Sequence, residues 1–351
     1  MLALRGAYKS FAGVTALADV SLDVRAGEVH ALVGENGAGK STLIRILAGV
    51  FPPDRGEVLL DGRPVSFPSP HHALARGIAA IHQEPSLCPS LSVLENIFLG
   101  CLPHGRFGAV AWRRAAERAQ ELLNLLDIRA DLHVEAGGVS AAVQQTVEIA
   151  RALARDARVL IMDEPTASLP YHEVSRLLRV VERLRQRGVA ILYISHRLEE
   201  VFALADWVSV LRDGRRVASG PAAEFSREKL IGLMVGRDLA PPPPRAAKTE
   251  GVVALRVRNL QRRRANAAVS FVVRTGEIVG LAGLVGSGRT ELARALFGLE
   301  PLAGGEVQVF GRRVALRNPR DALAVGIAYV PEDRRQHGLV LPLPVCANLS
   351  L

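Results

Sequence analysis

The sequence predicts an α/β fold: a mostly parallel sheet covered by helices on both faces, present once in full and a second time in part. Three observations carry that expectation. Short apolar runs at 29–33, 159–162 and 189–194 alternate with amphipathic stretches of helical period, the pattern of strands buried on both faces. A glycine-rich turn at 34–41 joins the first run to a helical stretch at 40–48. The chain also repeats itself at a constant offset of 249 residues.

Taken in order, the run 29–33 is too short and too apolar for anything but a buried strand, and Gly34 after it permits the sharp exit. The stretch 91–153 reads mainly as helices and is expected as an inserted helical subdomain. The second strand, 159–162, ends at Asp163-Glu164-Pro165, and proline closes it. An amphipathic helix at 171–187 then leads to the third strand, 189–194.

The repeat is long. Gly27-Glu28-Val29 recurs as Gly276-Glu277-Ile278, Gly56-Glu57-Val58 as Gly305-Glu306-Val307, and Gly77-Ile78-Ala79 as Gly326-Ile327-Ala328. A register held over this span is a duplicated domain. Between the copies lies Ala240-Pro241-Pro242-Pro243-Pro244-Arg245, whose prolines can neither continue a helix nor donate to a sheet. The expected division is one complete domain at 1–236, a proline-rich linker at 237–250, and the front part of a second copy at 251–351, incomplete beside the first.

With 49% hydrophobic and 23% charged residues the chain is composed like an ordinary packed protein. The net charge of +9 favours anionic partners, but much of the excess is arginine scattered along amphipathic helices, which reads as a solvated face and names no partner. Cys88, Cys101 and Cys346 stand nowhere at metal-ligand spacing, which argues against a zinc site and for a reducing compartment. No apolar run is long enough to span a bilayer, so a role at a membrane would be exercised from its cytoplasmic face beside another, spanning protein.

The chemistry begins at Gly34-Glu35-Asn36-Gly37-Ala38-Gly39-Lys40-Ser41, with Thr42 completing the expected nucleotide cradle. Glycines let backbone N–H groups converge on a phosphate, a lysine reaches the β and γ phosphates, and a hydroxyl at Ser41 ligates Mg²⁺. A nucleotide-hydrolysing site also needs a second metal-side carboxylate and a group to polarise water. Asp163 and Glu164, at the end of a buried strand, supply those two. ATP and Mg²⁺ are therefore the expected cofactors.

With these residues in place the chain resembles the ATP-binding cassette (ABC) ATPases over nearly its whole length. The resemblance implies a P-loop NTPase fold, with antiparallel β and helical subdomains beside the parallel core. It places Gln83 on Mg²⁺ and the attacking water, His196 on the γ-phosphate, and Phe11 against adenine. The family signature, usually Leu-Ser-x-Gly before a glutamine-rich helix, is Val139-Ser140-Ala141-Ala142-Val143-Gln144-Gln145 here, with Ser140 and Gln144 kept and Ala142 in place of glycine. A Cβ at that position should weaken the approach of backbone to phosphate. Ala167-Ser168-Leu169 matches the loop through which paired cassettes communicate, although Pro170 departs from the pattern.

The second copy has a degenerate phosphate loop, Gly283, Gly286, Gly288, Arg289 and Thr290, with arginine for lysine and with Glu332 at the position of Gln83. A forked guanidinium there implies nucleotide binding without efficient hydrolysis. These departures, with Pro331-Glu332-Asp333-Arg334 and Met234-Val235-Gly236-Arg237, resemble the tandem-cassette importers of ribose and related monosaccharides. That resemblance implies head-to-tail pairing of cassettes, one competent and one weak site, and a complete second cassette in cis or in trans. It also implies membrane-spanning permease subunits, contacted through 91–99, and an extracytoplasmic sugar-binding protein. No nucleic acid is expected. One competing reading is a soluble twin-cassette ATPase acting on ribosomes or nucleic acid, and another is a truncated subunit that binds nucleotide but turns it over weakly. The short proline-rich spacer and the lack of a cysteine cluster speak against the first.

Overall fold

Val29–Val33, Val159–Asp163 and Ala190–Ile194 lie side by side in a computed structural model of the chain, and they are buried along almost their whole length. The structure describes residues 1–82, 86–105, 108–167, 169–236, 251–262, 268–283, 286–331 and 337–351. It divides into two compact units, Met1–Pro241 and Pro242–Leu351.

In the first unit the strands are β1 (Leu2–Phe11), β2 (Val14–Val24), β3 (Val29–Val33), β4 (Arg55–Leu60), β5 (Arg63–Val65), β6 (Ile78–Ile81), β7 (Val159–Asp163), β8 (Ala190–Ile194), β9 (Trp207–Arg212) and β10 (Arg215–Pro221). The helices are α1 (Lys40–Leu47), α2 (Pro70–Ala75), α3 (Val93–Ile97), α4 (Trp112–Leu125), α5 (Ala141–Ala154), α6 (Tyr171–Gln186), α7 (Leu198–Leu204) and α8 (Arg227–Val235). Six strands form one sheet in the order β10-β9-β3-β8-β7-β6, parallel from β6 through β9 and closed by the antiparallel β10. A second, antiparallel sheet has the order β2-β1-β4-β5.

Successive side chains of a strand point to opposite faces, so the parallel sheet feeds two cores. Leu160, Met162, Ile191 and Tyr193 pack with α3 to α6, while Val159, Ile161, Leu192 and Ile194 pack with α1 and the antiparallel sheet. Each fully buried Leu, Ile or Val contributes about 1.5–3 kcal/mol against exposure, so this double burial holds the ends of β3, β7 and β8 in register. The stretch expected to be helical carries α3, α4 and α5. Ser92 and Glu95 form a reciprocal cap at the start of α3.

The second unit contains β11 (Val253–Arg262), β12 (Val269–Arg274), α9 (Arg289–Leu296), β13 (Leu302–Val309), β14 (Arg312–Val314), α10 (Pro319–Ala324) and α11 (Val345–Leu349). Its sheet order, β12-β11-β13-β14, repeats β2-β1-β4-β5, and α9 and α10 fall at the 249-residue offset from α1 and α2. The repeat stops short at residues 278–281, which form no strand. Ile278 is 77% exposed where its counterpart Val29 is fully buried. β3 is held between β8 and β9, and among the described residues of the second unit no strand flanks 278–281 in that way.

Candidate nucleotide-binding site

Residues 34–39 leave the end of β3 and turn sharply into α1. The turn is tight because protein packs against it. A Cβ on Gly34 would stand 2.3 Å from the Leu211 carbonyl oxygen, and one on Gly39, at φ 103°, would stand 2.6 Å from the Ala16 carbonyl oxygen. Gly37, at φ 85°, faces open space and requires glycine for its backbone alone. Ala38 is buried, and Glu35, Asn36 and Gly37 form the exposed crown of the loop.

No side chain caps α1 and its first turn holds no acidic residue, so its leading N–H groups and the positive end of its dipole are left for an anion. Lys40 opens the helix. Its ammonium is buried and donates to the carbonyl oxygens of Gly34 at 2.7 Å and Glu35 at 2.9 Å. Burial holds its pKa below the usual lysine range, opposed by the carboxylates of Glu164 and Asp163. Ser41 is exposed beside it and Thr42 is partly exposed.

Asp163 ends β7, paired with Ile194 of β8. Burial raises its pKa above the ordinary aspartate value, and the neighbouring Glu164 adds to the rise. The chain then turns at Glu164, whose φ of 49° is left-handed and whose N–H donates to the Ile194 carbonyl at 3.0 Å. That turn points the Glu164 side chain toward the end of β8, where His196 Nδ1 lies 3.2 Å from Glu164 Oε2. Lys40, Asp163, Glu164 and His196 thus gather at the ends of three adjacent strands, where ligands bind in open parallel sheets.

Phe11 closes β1 and is 45% exposed. It meets Phe51 edge-on at 5.4 Å, and the Lys9 ammonium sits 5.7 Å and 5.1 Å from the two ring centroids. Lys9 is fixed in turn by Asp54 at 2.7 Å and the Pro52 carbonyl at 2.9 Å. Sequence reasoning named Phe11 and missed Phe51 and Lys9. Only the alternation of β1, which puts Lys9 and Phe11 on one face, could have pointed to the lysine.

The signature residues cluster at the start of α5. Ser140 is the N-cap, exposed, and its hydroxyl donates to Glu173 Oε1 of α6 at 3.3 Å. Ala142 is buried and its carbonyl accepts the Thr146 hydroxyl at 2.9 Å. Gln144 donates to the Ala136 and Val139 carbonyls at 3.0 Å and 3.2 Å, bracing the turn before the helix. Gln83 and Ser168 lie outside the described residues, as do Glu332 and the 237–250 segment.

In the second unit Gly286 (φ 82°) and Gly288 (φ 89°) repeat the backbone of Gly37 and Gly39, and Arg289 opens α9 as Lys40 opens α1. Arg289 and Thr290 are exposed, unlike the buried Lys40. Gly283 stands close to Ser287, whose hydroxyl would lie 2.5 Å from an added Cβ.

Among the described residues no three His, Cys, Asp or Glu side chains gather to hold a metal. A hard divalent cation here needs phosphate oxygens to complete its shell, and one hydroxyl (Ser41) with one carboxylate (Asp163) is a donor set suited to that.

The chain matches the family model described as "ABC transporter" over residues 17–167 and 267–340. It is 52% identical over 351 residues to "Ribose import ATP-binding protein RbsA 2" of Streptomyces avermitilis, covering all of this chain and 70% of that protein. The "Putative ribose/galactose/methyl galactoside import ATP-binding protein 2" of Burkholderia cenocepacia is 49% identical over 355 residues, with 100% and 69% covered. Among solved structures, a nucleotide-free ATP-binding cassette from an ABC transporter superposes with a TM-score of 0.57 at 27% identity, covering 67% of this chain and 95% of that one. The ADP conformation of the MJ1267 cassette gives a TM-score of 0.57, also at 27% identity, with 67% and 94% covered.

Proposed function

The chain belongs to the ABC transporter family, and from that premise we propose that it is the ATP-hydrolysing subunit powering import of a ribose-type monosaccharide across the cytoplasmic membrane. The observation that supports the hydrolytic role is the meeting of Lys40, Asp163, Glu164 and His196 around the end of the phosphate loop. Names of relatives near half identity over the whole chain support the sugar.

The loop amides and the start of α1 bind the phosphates of ATP. Lys40 exchanges the Gly34 and Glu35 carbonyls for phosphate oxygens, which relieves the cost of burying its charge. Ser41 and Asp163, with Gln83, would hold Mg²⁺, which would supply charge neutralisation on the phosphates. Glu164 accepts a proton from the attacking water as oxygen bonds to the γ-phosphorus. The bond to the β-phosphate oxygen breaks, giving ADP and phosphate. His196 orients the Glu164 carboxylate through the 3.2 Å contact. Phe11, partly exposed at the end of β1, stacks on adenine.

The domain at 1–236 is one complete cassette, 237–250 is a linker, and 251–351 corresponds to the front of another. A complete second cassette, in cis or in trans, supplies the signature that closes the Lys40 site. Residues 283–290 form the weaker nucleotide site.

The permease and an extracytoplasmic sugar-binding protein are the partners. A cleft of about 510 Å³ beside His82, walled by Ile44, Leu74 and Leu99 and rimmed by Arg45 and Arg155, is the surface offered to the permease. No described helix is long and apolar enough to cross a membrane, which suits a subunit held peripherally at the cytoplasmic face.

The test is co-expression. Retention of the protein on membranes only with a ribose-type permease, together with ATP-dependent uptake of labelled ribose, supports the reading. Co-sedimentation with ribosomes and indifference to the permease overturn it.

A further inference from the structure

Glu200, in the first turn of α7, is an almost completely buried carboxylate that none of the roles above uses. Burying a carboxylate is costly unless hydrogen bonds replace its water. Here the Thr166 hydroxyl donates to Oε1 at 2.7 Å, and the Ser195 hydroxyl and Tyr193 phenol each donate to Oε2 at 2.9 Å. The Arg197 guanidinium lies 3.5 Å from Oε1. Thr166, Ser195 and Tyr193 are themselves buried, and burial, with the Glu200 carboxylate adding to it, pushes the Tyr193 phenol pKa well up.

The partners are not scattered. Thr166 stands two residues after Glu164, and Ser195 stands one residue before His196. Ser195 Oγ also accepts the Arg197 N–H at 3.0 Å, so the backbone is tied on both sides of His196. On the other loop, the Ala167 N–H donates to the Glu164 carbonyl and the Leu169 N–H to the Thr166 carbonyl, each at 3.1 Å. One carboxylate therefore spans the two turns that present Glu164 and His196.

We propose that Glu200 is a positioning residue for ATP hydrolysis, its carboxylate locking the Thr166 and Ser195 turns so that Glu164 and His196 stay in contact. The inference rests on the reading of Glu164 and His196 as the hydrolytic pair. It separates from a purely structural role because, among the described residues, no side-chain hydrogen bond or ion pair joins Glu200, Thr166, Ser195 or Tyr193 to the phosphate loop or α1, so ATP binding is expected to survive its loss while the chemical step does not.

The experiment is single-turnover hydrolysis of radiolabelled ATP by excess full chain assembled with the complete second cassette that closes the Lys40 site, beside equilibrium ATP binding and thermal unfolding of each variant. Glu200→Ala is expected to bind ATP within about threefold of the parent while hydrolysing it about 100-fold more slowly, the cost of an ångström-scale misplacement. Glu200→Gln, which keeps an acceptor oxygen, recovers most of the rate. Thr166→Val and Ser195→Ala slow hydrolysis singly and add little to Glu200→Ala, since they act through the same contact. Should Glu200→Ala not fold, Thr166→Val and Ser195→Ala still decide: normal rates in both overturn the proposal. So does a loss of rate matched by lost ATP binding or by the unfolded fraction. Glu164→Gln is the control. If it hydrolyses like the parent, the hydrolytic pair was misassigned. If it is inactive while Glu200→Ala is normal, the positioning role alone falls.

Discussion

His30 Nε2 accepts the Ser209 hydroxyl at 2.9 Å, and this bond fixes the direction of a hydrogen-bond chain through the sheet. The other ring nitrogen, Nδ1, lies 2.6 Å from the Asp23 carbonyl, which can only accept, so Nδ1 carries the proton. Trp207 Nε1 donates to Ser219 and the Ser219 hydroxyl sits 2.8 Å from Ser209, so with His30 neutral each donor of the chain finds an acceptor within it.

Acid should therefore unfold the first unit partly through His30. Burial lowers its pKa from 6.5 to about 4, against weaker opposing help from the Asp23 contact. The unfolded chain binds this proton more readily, so the stabilisation is complete above pH 6.5 and is lost as pH falls toward about 4. Its size is on the order of 3 kcal/mol. Urea unfolding at pH 7 and pH 4.5 measures it, and His30→Gln should flatten the difference.

Asp163 titrates in the opposite sense. Its folded pKa is raised, so the native state binds the proton more tightly and loses stability as pH rises above the ordinary value of 3.8. Asp163→Asn removes that cost, and the nucleotide-free protein is expected to melt no lower than the parent. The Mg²⁺-dependent part of its stabilisation by ATP should disappear. Thermal melts with ATP alone and with ATP plus Mg²⁺ separate the two effects.

Glu164→Gln and His196→Ala are expected to keep ATP affinity and to lower hydrolysis by roughly 10²–10⁴-fold, the usual worth of a positioned base. Lys40→Ala should instead lose affinity, because its charge is the one aimed into the loop. Filter binding with phosphate release distinguishes a binding defect from a chemical one.

Two glycines of one loop should respond differently to alanine. Gly39→Ala drives a Cβ to 2.6 Å from the Ala16 carbonyl and 2.9 Å from Leu17 Cδ2, and so should destabilise by several kcal/mol, of which strain at positive φ is about 1–2. Gly37→Ala meets nothing within 4 Å and should cost about 1–2 kcal/mol from its backbone alone. Chemical denaturation of both variants gives the comparison directly.

The sequence by itself determined the β3 turn into α1, the carboxylates at the end of β7 and the repeat at 249 residues. Each of these is local: a strand's apolar run, a glycine's backbone freedom and a motif's spacing are carried by residues adjacent in the chain. Only the tertiary structure decided that Glu200 joins the Thr166 and Ser195 turns, that Phe51 stands beside Phe11, and that His30 is held neutral. Those depend on which elements converge, because a buried polar group is defined by partners distant in sequence. Residues 278–281 mark the same boundary from the other side. Their apolar pattern repeats that of β3, yet a parallel strand exists only where neighbours accept its hydrogen bonds, and here none of the described residues does.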